Sequence, residues 1–146
     1  MAAISHVYLP VRDLDDSQRF YTETLGFKLL RRWSIDGNES AYLVLKDVLL
    51  ELVVTPELEL RPTGAGGQVE LRIGLAVDDL DATLADLRIS GVEVIREPWN
   101  AMTFWGRQAQ IRDPSGYGIS LRQWEPPDGP GFADWQPRHG SVSRVA

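Results

Sequence analysis

The stretch "LRIGLAVDDLDATL" at residues 71–84 repeats, in frame, the stretch "SHVYLPVRDLDDSQ" at residues 5–18. Setting His6 against Arg72 gives a constant offset. Val7 then meets Ile73, Leu9 meets Leu75 and Val11 meets Val77, while Asp13, Leu14 and Asp15 meet Asp79, Leu80 and Asp81. After one deletion, Gly26 meets Gly91. Self-similarity of this length marks a duplicated supersecondary unit. The frame departs at one chemically pointed place, where the imidazole of His6 gives way to the guanidinium of Arg72.

Each unit reads β-α-β-β-β. Residues 4–11 and 70–77 are rich in Val, Ile, Leu and Tyr and suit strands. The aspartates Asp13, Asp15, Asp79 and Asp81 are placed to cap the helices that follow. Leu80, Leu84 and Leu87 fall on one helical face, and Phe20, Tyr21 and Leu25 are placed similarly in the first unit. Gly26 and Gly91 then sit where a helix ends in a left-handed residue. Further strands are expected at about 27–33, 40–46 and 48–54, and again at about 92–96, 107–112 and 118–124. "LKDVLL" (45–50) and "RDPSGYG" (112–118) read as hairpin turns, and "RPTGAGGQ" (61–68) as a connector. The expectation is one α+β domain over residues 1–125, with modules at about 4–56 and 69–124. Residues 126–146 form a Pro/Gly-rich tail whose Phe132 and Trp135 could dock on the body.

Bulk composition narrows the function. The chain has 146 residues, 43% of them hydrophobic and 25% charged, ordinary values for one soluble globular domain. No apolar run approaches the ~20 residues that span a bilayer, and the N-terminus lacks the basic-then-apolar order of a secretory signal. The absence of cysteine excludes disulfides, thiolate zinc sites and a catalytic thiol. A cytoplasmic protein with no membrane partner is expected. The net charge of -6 argues against a general nucleic-acid binder, which needs a basic stripe.

Two segments, "HVYLPVRDLDDSQRFYTETLGF" (6–27) and "WGRQAQIRDPSGYGISL" (105–121), make the chain resemble the vicinal oxygen chelate superfamily. That group includes glyoxalase I, extradiol dioxygenases, methylmalonyl-CoA epimerase, fosfomycin-resistance enzymes and bleomycin-resistance proteins. The resemblance covers about residues 4–124. It implies two tandem βαβββ modules whose curved sheets enclose a ligand cavity, helices on the outside, and a homodimer. In the metal-dependent members each unit contributes one ligand from its first strand and one from its last. The corresponding positions here are His6, Glu51, Arg72 and Ser120.

This donor set is incomplete. A Lewis-acid centre of Zn, Ni, Mn or Fe needs open coordination positions and, in general, three or more protein ligands. His6 and Glu51 make two, a guanidinium has no lone pair to give, and the Ser120 hydroxyl is a poor ligand. His139 lies in the tail. The expectation is therefore metal-free, with Arg72 filling the ion's place and pairing with Glu51. The alternative is one divalent metal held by His6 and Glu51, serving a lyase, isomerase or dioxygenase. Metal-free catalysis, with Glu51 as base and Arg72 stabilising an enolate-like oxyanion, is also permitted by the residue types. No phosphate-binding Gly-rich loop or Ser-His-Asp arrangement is visible.

The apolar segment "EPWNAMTFWGRQ" (97–108) reads as a loop that covers the core or walls a cavity. An aromatic slot is expected from Trp33, Tyr42, Trp99, Phe104, Trp105 and Trp124, with His6, Glu51, Arg72, Arg107 and Ser120 as polar anchors. Such a slot suits a small aromatic or heteroaromatic ligand. It points to a protein that sequesters a natural product or antibiotic, as the bleomycin-resistance branch does.

Overall fold

A computed structural model describes residues 3–57, 72–101 and 104–125. The connector at 61–68 and the tail from Pro126, with Phe132, Trp135 and His139, lie outside the described residues. The chain divides into two compact units. One is Met1–Gln68 with Asp113–Gly116; the other is Val69–Arg112 with Tyr117–Ala146. Each carries one module of the repeat, and the 113–116 turn belongs with the first unit.

In the first unit β1 (Val7–Val11) leads into α1 (Leu14–Arg19), which continues as a π-helical turn over Phe20–Thr24. Strands β2 (Lys28–Ile35), β3 (Asn38–Leu45) and β4 (Val48–Val54) complete it. The sheet order is β1-β4-β3-β2, with β1 parallel to β4 and the rest antiparallel. The second unit repeats the plan with β5 (Ile73–Ala76), α2 (Leu80–Ile89), β6 (Val94–Asn100), β7 (Gly106–Arg112) and β8 (Gly118–Trp124), ordered β5-β8-β7-β6. Two four-stranded mixed sheets, each with one helix, are the tandem βαβββ architecture that the repeat implies.

Period-2 alternation decides which side of each sheet is buried. Leu9, Val11, Ala41, Leu43, Leu50 and Leu52 are almost wholly buried, and α1 packs against β3 and β4. In the second unit Ala109, Ile111, Ile119 and Leu121 are buried, as are Leu80, Leu84 and Leu87 of α2. Each such leucine contributes about 1.5–3 kcal/mol through burial. In the second sheet Gln108, Gln110, Ser120 and Arg122 alternate with these on the other side, whereas the first sheet's other side mixes Glu51 and Ser40 with Tyr8, Tyr42, Val44 and Val53.

Local chemistry sets the element ends. The Asp13 and Asp79 carboxylates accept from Asp16 N at 2.8 Å and Ala82 N at 2.9 Å, closing the two helix N-termini. Asp15 and Asp81 do not cap; they reach Arg32 and Arg107 instead. Gly26 and Gly91 end the helices with φ of +79° and +78°. Asp36 (φ 52°) and Gly37 (φ 84°) both take positive φ in the tight β2–β3 turn, as a twisted hairpin requires. In the 113–116 turn, Asp113 is buried and accepts from Tyr21 Oη at 2.9 Å, while Ser115 Oγ accepts from Arg12 N at 3.2 Å.

Several element boundaries differ from the sequence reading, and two of them bear on the site. Strand β1 begins at Val7, so His6 stands just before it. Strand β6 runs to Asn100, so Trp99 is a strand residue and only part of 97–108 is loop. Pairing of Trp99 with Gln108 and of Asn100 with Arg107 extends the strand past Pro98. Proline is tolerated there because β6 is an edge strand and its pairing is irregular between Arg96 and Trp99.

Candidate functional site

The open face of the second sheet is built from two cross-strand rows. Register places Gly74 beside Ser120, Ser120 beside Gln110, and Gln110 beside Arg96. One step along, Arg122 lies beside Gln108 and Gln108 beside Trp99. Arg72, two residues before Gly74, shares their parity. Together they line a cavity of about 430 Å³. The volume follows from the rows. Long side chains rise on β6, β7 and β8, whereas Gly74 contributes none and Ser120 contributes a short one. A Cβ added at Gly74 would meet nothing within 4 Å.

The cavity's chemistry is cationic and aromatic. Arg72, Arg96 and Arg122 line it, and among the described residues no carboxylate or imidazole does. The Arg96 guanidinium carbon sits 3.7 Å from the centre of the Trp99 ring, close enough for cation–π stacking. The Arg122 guanidinium lies over Phe104 at 5.3 Å, and its Nε is buried with no hydrogen-bond partner among the described residues.

The same rows in the first unit carry different residues. Tyr8 lies beside Glu51, Glu51 beside Tyr42 and Tyr42 beside Arg31; Ser40 lies between Val53 and Trp33. Glu51 is thus the counterpart of Ser120, Tyr8 of Gly74 and Trp33 of Trp99. His6 Nε2 stands 3.1 Å from Glu51 Oε2, and His6 Nδ1 is 2.8 Å from Ser5 Oγ. Tyr42 lies 6.2 Å from the His6 ring and 4.5 Å from the Trp33 ring. His6, Glu51, Tyr42 and Trp33 therefore form one cluster.

The remaining expected site residues go elsewhere. Arg107 is not an anchor in the cavity. It is one residue out of phase with Gln108, and its fork binds both Asp81 carboxylate oxygens, at 2.7 and 3.0 Å. That pair, chiefly through its hydrogen bonds, holds the exposed Asp81 carboxyl below its usual range and raises Arg107. Phe104 is buried against Trp124, ring centres 4.5 Å apart, and Trp105 is 44% exposed; none of the three lines the cavity. The sequence reading did not name Gly74, Arg96, Gln108, Gln110 or Arg122. The signal for them was strand parity once the register is known.

A divalent metal centre of the kind used by the metal-dependent members does not fit these residues. His6 and Glu51 offer two donors, one short of the usual minimum. Among the described residues no group of three or more His, Cys, Asp or Glu is placed to hold an ion. The homologous corner of the second unit presents a guanidinium and a hydroxyl.

The model of the Glyoxalase/Bleomycin resistance protein/Dioxygenase superfamily matches residues 3–121. A "Probable lactoylglutathione lyase" of Vibrio cholerae is 34% identical over 130 residues, covering 82% of this chain and 89% of that protein. A "Probable lactoylglutathione lyase, chloroplastic" of Arabidopsis thaliana is 32% identical over 127 residues, and the chain spans 35% of its length. Among solved structures, TnmS3, an antibiotic binding protein from Streptomyces sp. CB03234, is 32% identical with a TM-score of 0.62, over 84% of this chain and 95% of that one. With the duplicated βαβββ module already evident, the chain belongs to the Glyoxalase/Bleomycin resistance protein/Dioxygenase superfamily.

Proposed function

We propose that the chain is a small-molecule-binding protein that holds a flat aromatic natural product or antibiotic without a metal ion. The observation that carries this reading is the second-unit cavity. Its volume of about 430 Å³ lies in the range of drug-sized ligand sites, and it combines the stacking surface of Trp99 with convergent polar groups. Similarity to TnmS3 supports the same reading. Gln108 and Gln110 offer donors and acceptors that fix a ligand's orientation, and Arg72 occupies the position where metal-dependent members would place a ligand atom. Homodimerisation and a cytoplasmic location belong to the proposal, and light scattering on purified protein tests the first.

A thermal-shift screen with aromatic natural products tests the reading. Stabilisation of the wild type, reduced in Trp99→Ala, is the expected result. Stoichiometric Zn, Ni, Mn or Fe in protein purified without metal-affinity resin would count against it.

A second reading has its own support. The similarity to probable lactoylglutathione lyases and the close His6–Glu51 pair favour a metal-dependent lyase. It requires lactoylglutathione lyase activity that metal addition restores and His6→Ala removes. The lack of a third ligand among the described residues makes it the weaker of the two.

A further inference from the structure

We infer that the ligand of the second-unit cavity is a planar aromatic anion. The inference rests on the binding role proposed above and adds the charge of the occupant. The chain carries a net charge of -6, yet among the described residues three guanidiniums and no carboxylate line this cavity. Five described arginines elsewhere are matched, Arg19 by Asp16 among them, whereas Arg31 on the exposed strand β2 is matched by no described residue. Arg32 meets Asp15 and Glu39, Arg88 meets Glu97, Arg107 meets Asp81 and Arg112 meets Glu93. Arg96 and Arg122, by contrast, make no ion pair with any described residue, in a chain with acids to spare.

Geometry gives each group a task. The planar Arg96 guanidinium is held over the Trp99 ring, its carbon 3.7 Å from the ring centre. Its N–H edges then remain in the plane, the arrangement that receives a carboxylate through two parallel hydrogen bonds. The same indole and guanidinium present a flat surface to a ligand ring. Arg122 Nε is buried without a partner among the described residues, a cost that an entering acceptor relieves. A cationic ligand would meet the like charges of Arg96 and Arg122. A neutral hydrocarbon would strip water from those charges and offer no acceptor in return.

Two shape-matched pairs of probes test the charge separately from the binding: 2-naphthoate against 2-naphthamide, and anthraquinone-2-carboxylate against its primary amide. Equilibrium dialysis with the full chain at low salt should give acids bound about tenfold more tightly than amides, the usual yield of a charge-assisted hydrogen bond. The preference should shrink at high salt. Arg96→Gln should erase most of it, whereas Arg19→Gln, a charge change on α1 of the first unit, should leave it intact. Equal binding of acid and amide overturns the anion and leaves the binding role standing. Competition by inorganic phosphate as effective as by naphthoate overturns the aromatic part. If no member of either pair binds, both the inference and the binding role fall.

Discussion

Gly74 and Ser120 face each other across the parallel β5–β8 pair, where the first unit sets Tyr8 against Glu51. One module thus carries a phenol ring and a carboxylate where its duplicate carries a hydrogen and a hydroxymethyl group. The open space over the second sheet is a direct consequence. Gly74→Leu follows from this relationship as a blocking substitution. The new Cβ meets nothing within 4 Å, so the fold tolerates it, and the branched end projects into the cavity. The expected outcome is an unchanged or slightly raised Tm together with loss of 2-naphthoate binding, read by thermal denaturation and dialysis on the same preparation.

Tyr21 and Asp113 make a buried pair joining the first-unit helix to the 113–116 turn. Tyr21→Phe keeps the ring, including its edge-to-face contacts with Phe20 and Phe27, and removes one donor from a buried carboxylate. A destabilisation of about 1–3 kcal/mol is expected, the cost of leaving a buried polar group under-satisfied. Urea denaturation measures it, and a double-mutant cycle with Asp113→Asn isolates the pair.

The Asp81–Arg107 fork predicts a titration. Arg107 lowers the Asp81 carboxyl by hydrogen bonding to it, so Asp81 stays ionised to lower pH than an unpaired aspartate. Any stability it lends is complete above the ordinary aspartate range and is lost as pH falls through the lowered value. Carboxyl-detected NMR should find Asp81 titrating below its usual range in the wild type and returning to it in Arg107→Gln.

The parts of this molecule that local chemistry dictates were legible in the sequence. Duplication, the Asp13 and Asp79 caps, the glycines at 26 and 91, and the Leu80, Leu84, Leu87 stripe all depend on neighbours within one or two turns. The site was legible only in part. Arg72, Trp99 and Ser120 could be named, but Arg96, Gln110 and Gly74 join Ser120 in one row only through pairing among four strands. That register is a long-range property. Arg107 shows the size of the error that follows, because one step of strand parity sends it to Asp81 while Gln108 goes to the cavity. Trp99 reads as part of the apolar 97–108 loop, and the edge position of β6, which tolerates Pro98, is what makes it a strand residue.

The central claim is that this chain binds its ligand without a metal ion. The most direct measurement is the 2-naphthoate dissociation constant of EDTA-stripped protein, compared with the same protein resupplied with Zn, Ni, Mn or Fe(II). The account predicts one value throughout, unaffected by His6→Ala. Binding that disappears on stripping and returns with a metal, and that His6→Ala also removes, would contradict it.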